Sequence, residues 1–246
     1  MKLSYIYSSR VGLKRSSNED FVDIFEIGDG LLGVVCDGLG GNNAGEEASK
    51  IAVNIIYSYF IDHPEEEIQE RIGSAVIAAN RYIIQMASKS AELRGMATTA
   101  EVLFIDKNKA YWGHVGDSRI YFFLDSQLRQ VTKDHSLVQK LLDNGHITQK
   151  EADNHPQKNI IMRALGDKLS VEVDTNVIML DKTKNWKFLV CSDGVSNMFR
   201  KNELEAVLKE SDLEKLSKTL SSIIEERGAP DNYSYIIVSN QTTKQE

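Results

Sequence analysis

Two apolar runs that each end in an Asp-Gly turn constrain the fold of this chain most strongly. Residues 31–35 and 188–190 are such runs, and they lead into Asp37-Gly38 and Asp193-Gly194. This pattern is typical of a buried strand that carries a carboxylate to the rim of its sheet. A carboxylate in such a place costs free energy unless a partner compensates its charge. Because several converging carboxylates would also repel one another, the pattern indicates a site for a hard divalent cation.

Two further acidic turns, Asn18-Glu19-Asp20 and Pro230-Asp231-Asn232, extend the set of candidate ligands. Oxygen donors of this kind favour Mg²⁺ or Mn²⁺. Zinc is disfavoured, since the five histidines show no paired ligand spacing and neither cysteine has a nearby partner. On spacing alone, Asp37 and Asp193 each remain open between a metal ligand and a simple turn residue, and Asp29-Gly30 is interpreted as a turn.

Composition excludes several functional classes. The net charge of −7 argues against a general binder of nucleic acid or of anionic membranes. No apolar run approaches the roughly 18 residues of a membrane span, and the first residues do not resemble a signal peptide. We therefore expect a cytoplasmic protein that binds neither nucleic acid nor membrane. Cys36 and Cys191 follow apolar strands, so we expect small buried thiols, with a redox switch as the alternative.

Hydrophobic periodicity predicts an α+β protein, with no linker that would divide residues 1–246 into domains. Pro64 separates the first two of four predicted helices, at residues 46–61, 65–89, 202–209 and 212–227. Strands are predicted near Tyr5 and at residues 21–27, 31–36, 98–105, 110–115, 118–124, 171–180, 187–191 and 233–239. Short turns join the three consecutive strands between 98 and 124, which favours an antiparallel meander. Two sheets with helices on their outer faces would use these elements well.

Two glycine-containing motifs have competing interpretations. Gly38-Leu39-Gly40-Gly41 follows a strand and precedes a helix, as a dinucleotide loop does, but Asn43 stands where that motif needs glycine. The glycines instead allow backbone carbonyls to approach a metal ion. Gly116-Asp117-Ser118 lacks the G-x-S-x-G pattern of a nucleophilic serine. Asp117 is then either a turn residue or another metal carboxylate.

Three charged or titratable residues are ambiguous from the sequence alone. Arg15 is either a solvated charge or, beside a metal cluster, a bidentate ligand for phosphate. His135 and His155 flank an irregular segment, and each is interpreted as structural or exposed rather than catalytic.

Eight short motifs together span nearly the whole chain. They are Gly12-x-x-Arg15-x-x-Asn18-Glu19-Asp20, Cys36-Asp37-Gly38-Leu39-Gly40-Gly41, Gly95-Met96-Ala97-Thr98-Thr99, Gly116-Asp117-Ser118-Arg119, Thr132-Lys133-Asp134-His135-Ser136, Asn159-Ile160-Ile161-Met162-Arg163-Ala164-Leu165-Gly166, Ser192-Asp193-Gly194 and Asp231-Asn232. In this order they resemble the metal-dependent protein phosphatase family of the protein phosphatase 2C type, in its compact bacterial form. One motif alone would be weak, whereas the ordered set is specific.

The resemblance implies an α-β-β-α sandwich, in which two antiparallel sheets are flanked by helices. It also implies two tightly bound Mn²⁺ or Mg²⁺ ions at one end, with a weaker third. By position, Asp37 resembles the carboxylate that bridges both ions, and Gly38 resembles the residue that contributes its carbonyl oxygen.

The remaining ligands are also assigned by position. Asp193 and Asp231 resemble ligands of the first ion. Asp20, with Glu19 beside it, resembles direct or water-mediated support on the side of the second ion. Asp117 resembles the additional ligand of bacterial members, which it shares with Asp193 at the third ion.

Other positions of the motif set concern substrate binding and departures from the family pattern. Arg15 resembles the phosphate-binding arginine, and residues 134–166 resemble the mobile flap beside the site. Leu39 stands where eukaryotic relatives carry a histidine proposed as general acid, which leaves the proton donor unassigned. Ala97 replaces a usual glycine, and Tyr233-Ser234-Tyr235 differs from the usual aliphatic-Thr-aliphatic strand.

The implied function is that of a phosphoserine/phosphothreonine protein phosphatase, in which a water bridging the two ions attacks phosphorus. The implied substrates are phosphorylated proteins, including a bacterial-type Ser/Thr kinase that the enzyme would oppose, and we expect a monomer. The alternatives are a catalytically inactive sensor of phosphoproteins and a phosphatase specialised for one partner-switching regulator. The presence of all the carboxylates favours the enzyme over the sensor; they are Asp20, Asp37, Asp117, Asp193 and Asp231.

Overall fold

Two antiparallel sheets pack face to face in the computed structural model, which describes residues 3–40 and 44–241. The first sheet has the order β1 (Ser4–Arg10), β11 (Tyr233–Ser239), β10 (Trp186–Cys191), β7 (Arg119–Leu124) and β8 (Gln127–Gln130). The second has the order β2 (Asp20–Ile27), β3 (Gly30–Leu39), β5 (Ala100–Asp106), β6 (Lys109–Val115) and β9 (Asp174–Met179), with β4 (Ala97–Thr98) paired to β3. Gly41 and Asn43 of the glycine-rich motif lie outside the described residues.

Helices cover the outer face of each sheet, as the sequence predicts. The helices α1 (Ala44–Asp62) and α2 (Ile68–Lys89) pack on the second sheet. The helices α5 (Asp193–Ser196), α6 (Lys201–Val207) and α7 (Leu213–Glu226) pack on the first sheet. Two short helices, α3 (Leu137–Asp143) and α4 (Gln149–Asp153), lie within the segment that resembles a flap. The architecture is therefore the α-β-β-α sandwich that the resemblance implies, and the α+β class is confirmed.

The hydrophobic core has three layers because alternate residues of each strand point to opposite faces. Between the sheets, Phe122 and Phe188 stack with ring centroids 4.6 Å apart, and Trp186 meets Phe188 edge to face. Every residue of β10 is buried, since this strand is covered by the other sheet on one face and by helices on the other. Cys36 and Cys191 are buried free thiols, as predicted.

The predicted meander is wrong at its third strand. β5 and β6 pair with each other, but β7 joins the first sheet, where it pairs with β10 and β8. The chain crosses between the sheets at residues 116–118, where Gly116 has a φ of 124°, a conformation that favours glycine. A short turn in the sequence looks the same whether the next strand stays in its sheet or changes sheet. The sequence also missed β8, which has only four residues.

The fold tests the predicted turn at Asp29-Gly30. Asp29-Gly30 lies at the β2–β3 hairpin, where Gly28 has a φ of 59°, so the turn interpretation is confirmed. In the described residues, no helix has both the length and the apolar character needed to cross a membrane.

Replacing Phe188 with Ala should destabilise the protein by about 3–5 kcal/mol, because its buried ring has aromatic neighbours on two sides. Chemical denaturation measures this change. As a control, Leu169→Ala removes a side chain from a residue that is 83% exposed and should change stability by less than about 0.5 kcal/mol. Equal effects of the two substitutions would contradict the location of the core.

Candidate metal centre

Asp20 and Asp37 face each other across neighbouring strands. Asp20 begins β2, and it is the direct antiparallel partner of Asp37 near the end of β3. Directly opposed residues of an antiparallel pair place their side chains on the same face. Val22 and Val35, two residues away in each strand, belong to the core between the sheets. Both carboxylates therefore point towards the layer between the sheets, at one end of it.

Hydrogen bonds fix the backbone of Asp37 from both sides. Its N–H donates to Thr99 Oγ1 at 2.9 Å, and its carbonyl oxygen accepts from Thr99 N at 2.9 Å and from Thr98 Oγ1 at 2.9 Å. Thr99 Oγ1 also contacts Ser118 Oγ at 2.9 Å. These bonds involve backbone atoms of Asp37 and hydroxyl groups, so they hold the residue without using its carboxylate oxygens.

Gly38 lies where no side chain fits. A Cβ atom there would lie 2.2 Å from the carbonyl oxygen of Gly45 and 2.4 Å from that of Glu19. The first turn of α1 and the loop before β2 therefore both approach the backbone of β3 closely. This contact explains why glycine follows Asp37, and it places the backbone of Gly38 at the edge where the carboxylates meet.

Asp193 and Asp231 reach the same edge from the first sheet. Asp193 follows β10 and begins α5, and Asp231 lies just before the adjacent strand β11. A Cβ atom at Gly194 would lie 1.9 Å from the carbonyl oxygen of Asn232, so the two segments are in close contact. Asn197 Nδ2 donates to Asp193 Oδ2 at 3.1 Å.

Asn232 organises the loop that carries Arg15 and Asp20, a role that sequence reasoning missed. Its side-chain amide donates to the carbonyl oxygens of Val11 and Ser17 at 2.7 and 2.8 Å. Its Oδ1 accepts from the N–H of Glu19 at 2.9 Å. The sequence offered one signal for this role. Asn232 carries a side-chain amide, directly follows the candidate ligand Asp231 and directly precedes an apolar strand.

Ser192 is a second residue that sequence reasoning missed. Its hydroxyl donates to Asp20 Oδ2 at 2.7 Å, and it accepts from the N–H of Ser234 at 3.0 Å. All three of these residues are buried. One oxygen of Asp20 is thus held by the protein itself, across the gap between the two sheets.

Asp117 joins the cluster from the crossing between the sheets. It is 8% exposed, and its Oδ1 has no hydrogen-bond partner among the described residues. Burial, followed by repulsion from Asp193, raises the pKa of Asp117 to about 7. A buried oxygen without a partner is costly for a protein, and a cation would satisfy it.

Burial and mutual repulsion raise the pKa values of three further carboxyl groups of the cluster. Burial first, and then Asp20 and Asp193, raise the pKa of Asp37 well above its ordinary value. Burial raises the pKa of Asp20 to about 7, against the lowering effect of its bond from Ser192. Burial, followed by Asp231, also raises the pKa of Asp193. The structure therefore brings together all five predicted carboxylates.

The carboxylates converge, but their side chains do not already have the spacing of metal coordination. Within residues 3–40 and 44–241, no three His, Cys, Asp or Glu side chains form a group that would hold an ion as they stand. The donor set nevertheless suits a hard cation, because it consists of carboxylates and a backbone carbonyl.

Arg15 forms an ion pair with one carboxylate of this cluster. Its Nη2 lies 2.8 Å from Asp231 Oδ2, and the two side chains are 51% and 36% exposed. The structure thus places Arg15 beside a predicted ligand and keeps part of its guanidinium accessible to solvent.

His135 links the flap-like segment to the loop of Asp117. The backbone N–H of His135 donates to the carbonyl oxygen of Gly116 at 2.7 Å, and its ring Nδ1 accepts from the backbone N–H of Gly116 at 3.1 Å. On the other side of the ring, Nε2 lies 3.2 Å from Asp174 Oδ2, and Arg163 donates to Asp174 Oδ1 at 2.7 Å. Burial, followed by His114 and Arg163, lowers the pKa of His135 to about 4.

His155, in contrast, makes a local bond, in which Nδ1 accepts from Gln157 N at 3.1 Å.

Comparison with known proteins gives concordant matches. The protein phosphatase 2C family profile matches residues 13–231. A serine/threonine phosphatase stp of Listeria welshimeri is 36% identical over 233 residues, which cover 92% of each chain.

Solved structures agree with the sequence comparison. The crystal structure of the serine/threonine phosphatase Stp1 from Staphylococcus aureus has a TM-score of 0.91 at 31% identity, and the match covers 98% of this chain and 96% of that one. The catalytic domain of the phosphatase PstP, solved in complex with two manganese ions, has a TM-score of 0.84 at 30% identity. That match covers 96% of this chain and 97% of that one.

The raised pKa values predict that the carboxylate cluster destabilises the metal-free protein as pH rises. Between the unfolded pKa near 4 and a folded pKa of about 7, the folded protein holds more protons at Asp20 than the unfolded chain does. This group's contribution to stability is therefore lost as pH rises through that window. Asp20→Asn should raise the stability of chelator-treated protein above pH 7 by about 1–4 kcal/mol.

Denaturant unfolding at several pH values between 4 and 8 tests this difference. Asn keeps an oxygen that accepts the bond from Ser192, so packing at the site should be little changed. Asp29→Asn removes one exposed carboxylate from a hairpin turn and serves as the control. A variant at Asp20 whose stability follows that of the wild type across the whole range would refute the electrostatic account.

Proposed function

Since this chain belongs to the protein phosphatase 2C family, we propose that it is a serine/threonine phosphatase that hydrolyses phosphate monoesters on proteins. Its cofactors are Mn²⁺ or Mg²⁺, in keeping with the two manganese ions in the PstP structure. The observation that carries this function is the convergence of five carboxylates from both sheets at one edge of the sandwich. They are Asp20, Asp37, Asp117, Asp193 and Asp231.

The residues present fit such ions. In our proposal, Asp37 would contribute to holding both ions, and Gly38 would contribute its carbonyl oxygen. Asp193 and Asp231 would hold the first ion. Asp20 would support the second ion directly or through water. The ions supply Lewis acidity, which lowers the pKa of a bound water and neutralises charge on phosphoryl oxygens.

Asp117 would hold a weaker third ion. Its unpartnered Oδ1 supports this role. Repulsion from Asp193 contributes to the raised pKa of Asp117, which supports an electrostatic link between the two carboxylates.

The chain itself binds and orients the phosphoryl group. Arg15 carries a planar set of donors that suits phosphate oxygens, and half of its side chain is exposed. In our proposal, this guanidinium turns from Asp231 to the substrate when Asp231 binds metal. Leu39 carries no exchangeable proton, so protonation of the leaving group does not depend on residue 39.

An inactive phosphoprotein sensor is the alternative class of function. A sensor has no need for a complete ligand set, whereas this chain has all five carboxylates and buries Asp20 and Asp117 among them at a free-energy cost. The retention of all five carboxylates favours the enzyme.

The proposal also covers the oligomeric state, the location, the opposing kinase and the flap. We infer a monomeric catalytic domain that acts in the cytoplasm and opposes a Ser/Thr protein kinase, whose own phosphorylated residues are among its substrates. The negative net charge supports the expectation that it binds neither nucleic acid nor anionic membranes. Residues 134–166 would act as a flap, and the contact between His135 and Gly116 supports a position beside the site.

Phosphatase activity should depend strictly on metal and on Asp37 and Asp193. Chelation should abolish hydrolysis of a phosphothreonine peptide, and Mn²⁺ should restore it. Asp37→Asn and Asp193→Asn should each lower kcat by about 10³-fold, because the Lewis acid contributes several kcal/mol to transition-state stabilisation. Steady-state kinetics with added Mn²⁺ measure this loss, with Asp29→Asn as the control. Full activity in metal-stripped enzyme would rule out the proposed chemistry.

Arg15 should contribute mainly to binding of small substrates. Arg15→Ala should raise KM for p-nitrophenyl phosphate by about tenfold with a smaller fall in kcat, because the guanidinium holds the phosphoryl group in both the ground and transition states. Arg15→Lys should recover only part of this, since an ammonium lacks the bidentate geometry.

The matched control is Arg10→Ala, which removes an exposed arginine at the end of β1. Loss of the exposed ion pair with Asp231 should change stability by no more than about 1 kcal/mol, so folding does not confound the kinetics. Unchanged KM and kcat in Arg15→Ala would show that Arg15 is only a solvated charge.

A further inference from the structure

A groove of about 890 Å³ opens beside the carboxylate cluster. Asp117 and Asp193 both line it, so the groove is continuous with the proposed metal centre. One wall comes from the flap-like segment, including α3 and α4, and the other comes from α5, α6 and the loop between them. A cavity of this size accommodates several side chains of a bound polypeptide, far more than a phosphoryl group alone requires.

Away from the metal cluster, the charged residues of this groove are mainly cationic. Arg119 is neutralised by Asp134, with Nε and Nη2 within 2.6–3.1 Å of the carboxylate oxygens. Three exposed cations remain, Lys158 on the flap wall and Arg200 and Lys201 on the opposite wall. In the described part of the chain none of these three forms an ion pair, although Arg227 nearby in the fold is paired with Glu203.

One carboxylate outside the metal cluster opposes these cations. Asp153 lines the groove and accepts a hydrogen bond from Gln149 at 2.8 Å. The whole lining carries four cations and four carboxylates, because Asp117 and Asp193 belong to it. Bound metal ions would neutralise these two carboxylates and leave three unpaired cations facing Asp153, on a protein whose net charge is −7. The metal-loaded groove therefore has a local excess of positive charge.

Resting on the proposed phosphatase function, we infer that this groove selects phosphorylated protein segments that carry acidic residues next to the phosphorylated Ser or Thr. Lys158, Arg200 and Lys201 contact the Asp or Glu side chains of the extended substrate, while its phosphoryl group lies at the carboxylate cluster. Charge complementarity identifies the partner, because cations on both walls repel basic segments and attract acidic ones. The three residues determine specificity and take no part in the chemical step.

The test uses full-length protein with Mn²⁺ and a series of phosphothreonine peptides of equal length. The peptides carry two Glu, two Ala or two Lys residues on the amino or the carboxyl side of the phosphothreonine. Wild-type kcat/KM should be about tenfold higher for the better Glu peptide than for the matching Lys peptide, and about 0.5 M salt should reduce this ratio. The variant Lys158→Glu/Arg200→Glu/Lys201→Glu should reverse the order of the Glu and Lys peptides.

The matched control reverses the same number and types of charge outside the groove. Arg81→Glu/Lys209→Glu/Lys218→Glu alters exposed cations that form no ion pair among the described residues and do not line the groove. It should keep the wild-type preference for Glu. If this control loses the preference as fully as the groove variant does, overall charge is responsible and the inference fails.

Hydrolysis of p-nitrophenyl phosphate separates this inference from the proposed function. This ester does not extend into the groove, so both triple variants should retain Mn²⁺-dependent hydrolysis of it, which also shows that they are folded. Normal activity on the ester and on all peptides, without dependence on flanking charge, would refute the groove inference alone. Absence of any Mn²⁺-dependent hydrolysis in the wild type would refute the phosphatase function itself.

Discussion

The convergence of buried carboxylates at the shared edge of two sheets is the constraint on which the rest of this structure depends. Two carboxylates come from the paired ends of β2 and β3, and others come from the ends of β10 and β11 and from the crossing after β6. In the described residues, Arg15 is the cation that pairs with this cluster. Folding therefore has to overcome charge repulsion at one end of the sandwich, and the stacked aromatic core between the sheets provides the opposing stabilisation.

Hydroxyl and amide side chains hold this edge in a way that keeps most carboxylate oxygens available. The side chains of Thr98, Thr99 and Asn232 bond to backbone atoms around Asp37 and Glu19 and leave the carboxylates free. The backbone N–H of Asn232 donates to Asp231 Oδ1 at 2.8 Å. By contrast, the carboxylate of Asp134, outside the cluster, forms a salt bridge with Arg119. A strong basic partner at each carboxylate would lower the cost of burial, but it would compete with a cation. The repulsion between the cluster carboxylates is therefore only partly compensated, whereas the charge of Asp134 is compensated by Arg119.

Most of the architecture could be predicted from the sequence, because strong periodicity marks long elements such as α1 and α2, and apolar runs mark the buried strands. The partner of β7 could not, because a turn at residues 116–118 does not show which sheet the next strand joins. The candidate ligands came from family resemblance, since spacing alone left Asp37 and Asp193 open. Ser192 and Asn232 escaped prediction, because their roles depend on contacts between segments far apart in sequence.

The crossing between the sheets also explains why one segment can serve both the metal centre and the groove. Gly116 changes the direction of the chain, so Asp117 turns into the cluster while Arg119 begins the strand of the other sheet. His135 then bonds both backbone groups of Gly116, and Arg119 holds Asp134 beside it. The start of the flap-like segment is thereby fixed to the loop of Asp117. One wall of the groove is therefore joined by hydrogen bonds to the loop that carries the proposed ligand of the third ion.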